Sequence, residues 1–284
     1  MSLRSVLHGA LPLAMLLGCS GCSKPSPATA PDPSSGPAVP GQQVKQVLPS
    51  ALDGNIGGYL EYVPGDYASS GHAYPLMIFC HGLGEAGDGS DTALTQVAQN
   101  GPPRLIRDGQ FPAGFTVNGS TYSFIVVSPQ FKNWPAASNL KALVDHLQAK
   151  GLRFDPARVY VTGLSMGGGA TWLAARDQST LPLIAAVVPV CGAQDSDLAG
   201  AKRISDAHLP VWALHNDQDP TVTVDNTNHW IRDINANAPA VPARKTIFVS
   251  ASHDAWTKAY DPAYRENISG QDLNVYEWML SYRK

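Results

Sequence analysis

The sequence predicts an α/β fold: a mostly parallel central sheet with helices on both faces and no large cap. Three observations carry this. Apolar runs of strand length recur along the chain, segments of helical spacing or length separate them, and no internal repeat is visible. Near-continuous apolar runs, rather than strict alternation, are what strands covered on both faces require. Length and composition fit this class. The 284 residues are 44% hydrophobic and 15% charged, enough for a full core in one or two domains. The net charge of -3, without any basic stripe, argues against a nucleic-acid partner.

The first residues predict export rather than structure. Arg4 gives a positive start, the run Ala10 to Leu17 is apolar, and Gly18-Cys19 ends it. That run is too short to cross a bilayer, which takes about 20 residues, and residues 1–18 read as a signal peptide. The string Leu16-Leu17-Gly18-Cys19 has the pattern of a bacterial lipoprotein signal, which makes Cys19 the lipidated N-terminus and a lipid anchor the expected membrane contact. Cys22 is the second candidate, since Cys19 would occupy its -3 position. Residues 19–41 hold six prolines from Ser20 to Gly41 among Ser, Ala, Thr and Gly, a composition that cannot bury enough surface to offset its ordering entropy. A tether is expected there, with a single folded body over 42–284. The protein is expected outside the cytoplasm, anchored to a membrane or else periplasmic or extracellular.

Within the body, strands are expected at Gly58–Val63, Pro75–Cys80, Ser123–Val127, Arg158–Thr162, Ile184–Val190, Leu209–Leu214 and Thr246–Val249. Leu140, Leu143, Val144 and Leu147 recur at helical spacing, and Gly151 stops that helix. A last helix is expected over Asp272–Tyr282. The interval Gly192 to Leu209 must hold the crossover helix of a parallel connection, about a dozen residues, which leaves no room for a cap. The interval Gly109 to Tyr122 reads as a rim loop. Cys80 and Cys191 end strands on either side of the strand before Ser165, so both are expected as free thiols despite export.

Chemistry in such sheets gathers at the carboxyl ends of the strands. Directly after Thr162 comes Gly163-Leu164-Ser165-Met166-Gly167, then Gly168, Gly169 and a helical run. This is G-x-S-x-G in a strand–turn–helix setting, which holds a serine hydroxyl above the sheet and makes Ser165 the candidate nucleophile. After Cys80 comes His81-Gly82-Leu83-Gly84-Glu85. A turn there can aim the Leu83 N–H at an acyl oxygen beside the N–H of Met166, forming an oxyanion hole. The same stretch, Gly82 to Gly87, also matches the dinucleotide pattern G-x-G-x-x-G. Glu85, Asp88 and Asp91 would repel a pyrophosphate, and the run after Glu85 is too turn-rich to open a helix. The strand before His215 leads into His215-Asn216-Asp217-Gln218-Asp219, and the strand ending near Val249 leads into Ser252-His253-Asp254-Ala255-Trp256. An acid followed by a histidine completes the chain order Ser, Asp, His, with His253 as base and Asp219 as orienting acid; Asp217 and Asp225 remain candidates for the acid.

The set HGLGE, GLSMGG, HNDQD and SHDAW resembles the α/β-hydrolase superfamily. More narrowly, it is similar to secreted bacterial esterases of the phospholipase/carboxylesterase and dienelactone-hydrolase type, with their polyhydroxybutyrate-depolymerase-like and feruloyl-esterase-like relatives. The resemblance runs from about Tyr59 to the C-terminus. It implies a Ser–His–Asp triad, an acyl-enzyme and no cofactor. In that group the acid loop is commonly H-G-x-x-D; here Asn216 stands in place of the glycine, while Asp219 keeps its spacing from His215.

Gln130, Trp134 and Trp256 lie near these strand ends and are expected to line a substrate pocket. No metal is expected, because the eight histidines form no H-E-x-x-H pair and no Cys/His cluster of ligand spacing. The function expected is serine ester hydrolysis, on short-chain, aryl or polymer-attached esters. A serine peptidase of the same fold and a non-catalytic binding protein on a hydrolase scaffold are the alternatives. A binding module has no need of all three triad members, and the body has no room for the propeller or large cap that would favour a peptidase.

Overall fold

The structure, a computed structural model, describes residues 35–284. The signal peptide, Cys19 and most of the tether lie outside the described residues. Residues 35–41 carry no helix or strand, and Gly36 N–H donates to the Thr121 carbonyl at 2.9 Å.

The elements follow in chain order: β1 (Gln42–Leu52), β2 (Ile56–Val63), β3 (Tyr74–Cys80), α1 (Gly101–Arg107), β4 (Phe115–Val117), β5 (Ser120–Tyr122), β6 (Ile125–Phe131), α2 (Ala137–Ala149), β7 (Phe154–Leu164), α3 (Met166–Arg176), β8 (Ala186–Val190), α4 (Leu198–Asp206), β9 (Trp212–Asn216), α5 (Val224–Asn235), β10 (Arg244–Phe248), α6 (Trp256–Ala259), β11 (Glu266–Ile268), β12 (Gln271–Leu273) and α7 (Val275–Leu280). Short 3₁₀ turns cover Leu83–Glu85, Ala93–Gln99 and Leu181–Leu183.

Eight strands form one sheet in the order β1-β2-β6-β3-β7-β8-β9-β10. The pairs β1–β2 and β2–β6 are antiparallel; every pair from β6 to β10 is parallel. The mostly parallel sheet is therefore as the sequence predicts. Its two faces feed two cores. Leu76, Ile78 and Cys80 of β3 point to one, and Met77 and Phe79 to the other. On the first face Trp172 of α3 stacks on Trp230 of α5, with ring centroids 4.8 Å apart and planes 8° apart. On the second, Trp278 of α7 meets Trp212 of β9 edge-on at 5.6 Å.

Only α4 and its flanking turns occupy the stretch between β8 and β9. No cap is inserted there. Asp197 caps α4 by accepting from the Gly200 N–H at 2.6 Å.

Three details differ from the sequence expectation. The expected rim loop before β6 holds the β4–β5 hairpin, and Phe115, Val117 and Tyr122 bury their side chains in the second core. The final helix is shorter than expected, because β12 takes up Gln271–Leu273 before Asn274 and Glu277 close a capping box on α7. The third concerns β6, which runs on through Phe131 and carries Gln130 inside the sheet. Among the described residues no helix is long and apolar enough to cross a membrane.

Candidate active site

The three loops singled out above meet at the carboxyl edge of the parallel strands. Ser165 sits between β7 and α3 with φ 53° and ψ -116°, a left-handed backbone rarely adopted by a side-chain-bearing residue. The turn is held on both sides. Ser165 N–H donates to the Val190 carbonyl at 3.0 Å, and its carbonyl accepts from Gly169 at 2.9 Å and Ala193 at 3.0 Å. Glycine is required here by close approach: a Cβ on Gly163 would lie 2.5 Å from the Gly167 carbonyl, and one on Gly167 would run into the Cys80 carbonyl.

Ser165 Oγ lies 2.9 Å from His253 Nε2, and His253 Nδ1 lies 2.7 Å from Asp219 Oδ2. The Asp219 side chain is 0% exposed, and its Oδ1 accepts from the N–H groups of Thr221 at 2.8 Å and Val222 at 3.0 Å. The carboxylate is thus oriented by its own turn before the histidine reaches it. Asp217 stands elsewhere: its Oδ1 accepts from Ser250 N–H at 2.8 Å and its own N–H donates to the Phe248 carbonyl at 2.9 Å, pinning the loop after β10. Asp225 lies at the start of α5 with an Asn228 amide on its Oδ1 at 3.4 Å. Of the three aspartates, Asp219 is the one hydrogen-bonded to His253.

The Leu83–Glu85 turn follows β3 beside Ser165; a Cβ on Gly82 would come 3.8 Å from the Ser165 Cβ. Met166 opens α3, so its N–H is among those a helix leaves without an internal partner. His81 ties the turn to the sheet. Its Nδ1–H donates to the Gly82 carbonyl at 2.6 Å, and its Nε2 accepts from Phe131 N–H at 2.9 Å. Since the Phe131 amide can only donate, this geometry requires the neutral ring, and burial holds the His81 pKa down to about 4.

The sequence pattern assigns no role to His215 or Asn216. His215 is fully buried beneath the acid, with Nε2 donating to the Val222 carbonyl at 3.0 Å and lying 3.4 Å from Asp219 Oδ2. Its Nδ1 accepts from Thr227 Oγ1 at 2.8 Å, and burial lowers its pKa. Asn216, which replaces the expected glycine, donates through Nδ2 to the Ser252 carbonyl at 2.7 Å and so ties the acid loop to the histidine loop. Its position one residue after His215, at the departure from the motif, was the available signal.

The three expected pocket residues have different surroundings. Gln130 is 0% exposed and does not line a cleft: its Oε1 accepts from Gly89 N–H at 3.0 Å and its Nε2 donates to the carbonyls of Glu85 and Ala93. A side chain expected beyond the strand end instead lies within β6 and supports the Leu83–Glu85 turn from below. Trp134 is 50% exposed and faces an open polar groove with Gln194, Asp195 and Asn226. Trp256 meets the His253 ring edge-on at 5.2 Å and borders a cleft of about 470 Å³ with Arg104, Leu105 and Tyr260.

Among the described residues, Cys191, Asp219 and His253 bring three ligand-type atoms within 4.8 Å of one another. The acid and the histidine are already bonded to each other, and burial pushes the Cys191 thiol up, away from the thiolate a metal needs.

Sequence comparison decides the family. A profile of the phospholipase/carboxylesterase family matches residues 67–261. The chain belongs to this family. That span contains the Ser165, Asp219 and His253 loops. Solved structures share the architecture. A thermostable esterase is 23% identical with a TM-score of 0.59, over 86% of this chain and 64% of that one. A ferulic acid esterase is 14% identical with a TM-score of 0.53, over 80% of this chain and 97% of that one. A puromycin-hydrolyzing peptidase of Mycobacterium tuberculosis is 15% identical with a TM-score of 0.52, over 75% of this chain and 36% of that one. The chain therefore spans less than two thirds of the thermostable esterase. At these identities the likeness establishes the α/β-hydrolase fold. A search of curated proteins gives no significant match.

Proposed function

We propose that this phospholipase/carboxylesterase family member is a serine hydrolase of carboxylic esters that works through an acyl-enzyme. Family membership supports ester hydrolysis in general. The mechanism rests on one observation, the unbroken line from Asp219 through His253 to Ser165 at 2.7 and 2.9 Å. In this reading Ser165 Oγ adds to the ester carbonyl carbon while its proton passes to His253 Nε2. Asp219 accepts from Nδ1–H, keeps Nε2 free to act as base and stabilises the imidazolium that forms. The Leu83 and Met166 N–H groups receive the developing oxyanion, a contact worth about 3 kcal/mol per donor in related chemistry. The bond to the alcohol oxygen breaks as His253 returns the proton to it. Water then attacks the acyl-enzyme by the same route and releases the acid.

The substrate class is short-chain, aryl or polymer-attached esters, which the absence of a cap between β8 and β9 supports. Export and a lipid anchor at Cys19 belong to the same reading and rest on the sequence. A fluorophosphonate probe followed by peptide mapping tests the assignment. It should modify Ser165 alone, and p-nitrophenyl esters should turn over while peptide anilides are not cleaved. Modification of another residue would displace the nucleophile, and efficient cleavage of the anilides would make the chain a peptidase.

A further inference from the structure

Asn100 occupies the N-cap position of α1, with extended backbone at φ -138° and ψ 165°. An asparagine there ordinarily turns its side-chain oxygen onto the first N–H groups of its own helix. This one makes no such bond, because the second and third helical positions are Pro102 and Pro103, which have no N–H to donate. Its amide is used elsewhere at both ends: Nδ2 donates to Glu85 Oε1 at 2.5 Å, and Oδ1 accepts from Trp256 Nε1 at 3.0 Å.

The two partners belong to opposite sides of the candidate active site. Glu85 is the last residue of the Leu83–Glu85 turn; it is buried, and its carboxylate lies against Gly82, where an added Cβ would come 3.1 Å from Oε2. Trp256 stands edge-on to the His253 ring, with an interplanar angle of 87°. A continuous line thus runs from the turn that carries a candidate oxyanion donor, through Glu85, Asn100 and Trp256, to the candidate base. The chemistry at each joint is one-way. A carboxylate only accepts, an indole N–H only donates, and the amide between them offers one donor end and one acceptor end.

We propose that Asn100 is a positioning residue for this site: by holding Glu85 and Trp256 together it sets the placement of the His253 imidazole relative to the Leu83 turn. This role rests on the ester-hydrolase reading above. It gives a use to an amide that its own proline-opened helix cannot engage, and to a carboxyl group buried behind the turn.

The polarity of the line supplies the test. Asn100→Asp replaces the donor end with an acceptor and sets two carboxyl groups face to face. With a small ester, kcat should fall about tenfold to a hundredfold while KM changes by less than about threefold, the signature of misplaced groups rather than lost binding. Adding Glu85→Gln reverses the direction of the first joint, since the glutamine amide can donate to one oxygen of the new carboxylate while the other oxygen still accepts from Trp256. The double variant should recover kcat to within about threefold of the parent. Trp256→Phe keeps a ring against His253 and removes the N–H, so its kcat should fall by at least about fivefold even if Asn100→Asp does not fold. A purely structural asparagine would lower Tm in these variants and leave kcat at 25 °C unchanged, and that result overturns the proposal. So does a double variant no more active than Asn100→Asp alone. Fluorophosphonate labelling of the parent separates the two levels. If Ser165 of the parent is not labelled, the ester-hydrolase reading falls and this role with it; if it is labelled and kcat is unmoved in the variants, only the positioning role falls.

Discussion

Asp217 and Asp219 stand two positions apart on one loop, and their hydrogen bonds divide the labour between them. Both accept from backbone N–H groups through Oδ1, yet only Asp219 places its other oxygen on His253. An amide in its place would keep the turn and lose the charge that favours the imidazolium. Asp219→Asn should therefore lower kcat/KM by about 10³–10⁴-fold, whereas Asp217→Asn, which keeps an acceptor for Ser250, should cost less than about tenfold. Rates for the two variants on one ester decide it, and the reverse ranking would move the acid to Asp217. Chain order and spacing favoured Asp219 without excluding its neighbours, because a carboxylate's partners come from another loop. Gln130 shows the opposite failure. Its nearness to a strand end suggested a pocket, but the polar residues Ser128 and Gln130 hid the fact that β6 continues, and a buried amide surrounded by backbone groups has no surplus bond for a substrate.

Among the elements, five of the six parallel strands, β3, β6, β7, β8 and β9, were legible because each is largely buried on both faces and so reads as an apolar run. β1 was not. It is the outer strand of an antiparallel pair, half in solvent, with Gln42, Gln43, Lys45 and Gln46 along it and Pro49 near its end. Such polar decoration protects an open edge from pairing with other chains and removes the periodicity by which a strand is recognised. The hairpins β4–β5 and β11–β12 are each built from three-residue strands, too short to show alternation. Strand order has a chemical consequence. β7 lies between β3 and β8, which places Cys80 and Cys191 two strand spacings apart, about 10 Å, beyond the roughly 7 Å that a disulfide spans. Both are free and buried. Under denaturing, non-reducing conditions both should take up iodoacetamide, and a cross-linked peptide containing the two would contradict the sheet order.

For the whole molecule, two properties follow from what is buried and what is left open. His81 and His215 are buried as neutral rings; burial lowers both, His81 to about 4 from an ordinary 6.5. The unfolded chain takes up those protons near pH 6.5, while the native state resists them. Stability from these groups is therefore complete above about pH 6.5 and is lost as pH falls toward 4, by about 3 kcal/mol for His81 alone. Urea midpoints should drop steadily between pH 7 and pH 4.5, and a flat profile would mean that the rings are hydrated. The open property is the approach to Ser165. With only α4 between β8 and β9, no cap is inserted there to wall a tunnel in which a long acyl chain would be buried at about 0.8 kcal/mol per methylene. kcat/KM should peak for acetyl to butyryl or aromatic acyl esters and should not jump when the substrate forms micelles. Faster turnover of palmitoyl esters would show a lid or tunnel that forms only on binding.

The backbone of Ser165 sets a tension between longevity and work. A non-glycine residue at φ 53° stores about 1–3 kcal/mol that the rest of the fold must offset. Glycine would occupy that conformation without strain, at the cost of the hydroxyl. Ser165→Gly should therefore melt at a higher temperature than the parent while losing ester turnover. Such a variant would be a tougher scaffold and an inert one. If it melted lower, the turn would be holding the serine through contacts of its side chain rather than against its backbone preference. On the present geometry one of the strained backbone positions is also where the proposed chemistry begins, so at this residue selection for durability alone would work against the activity.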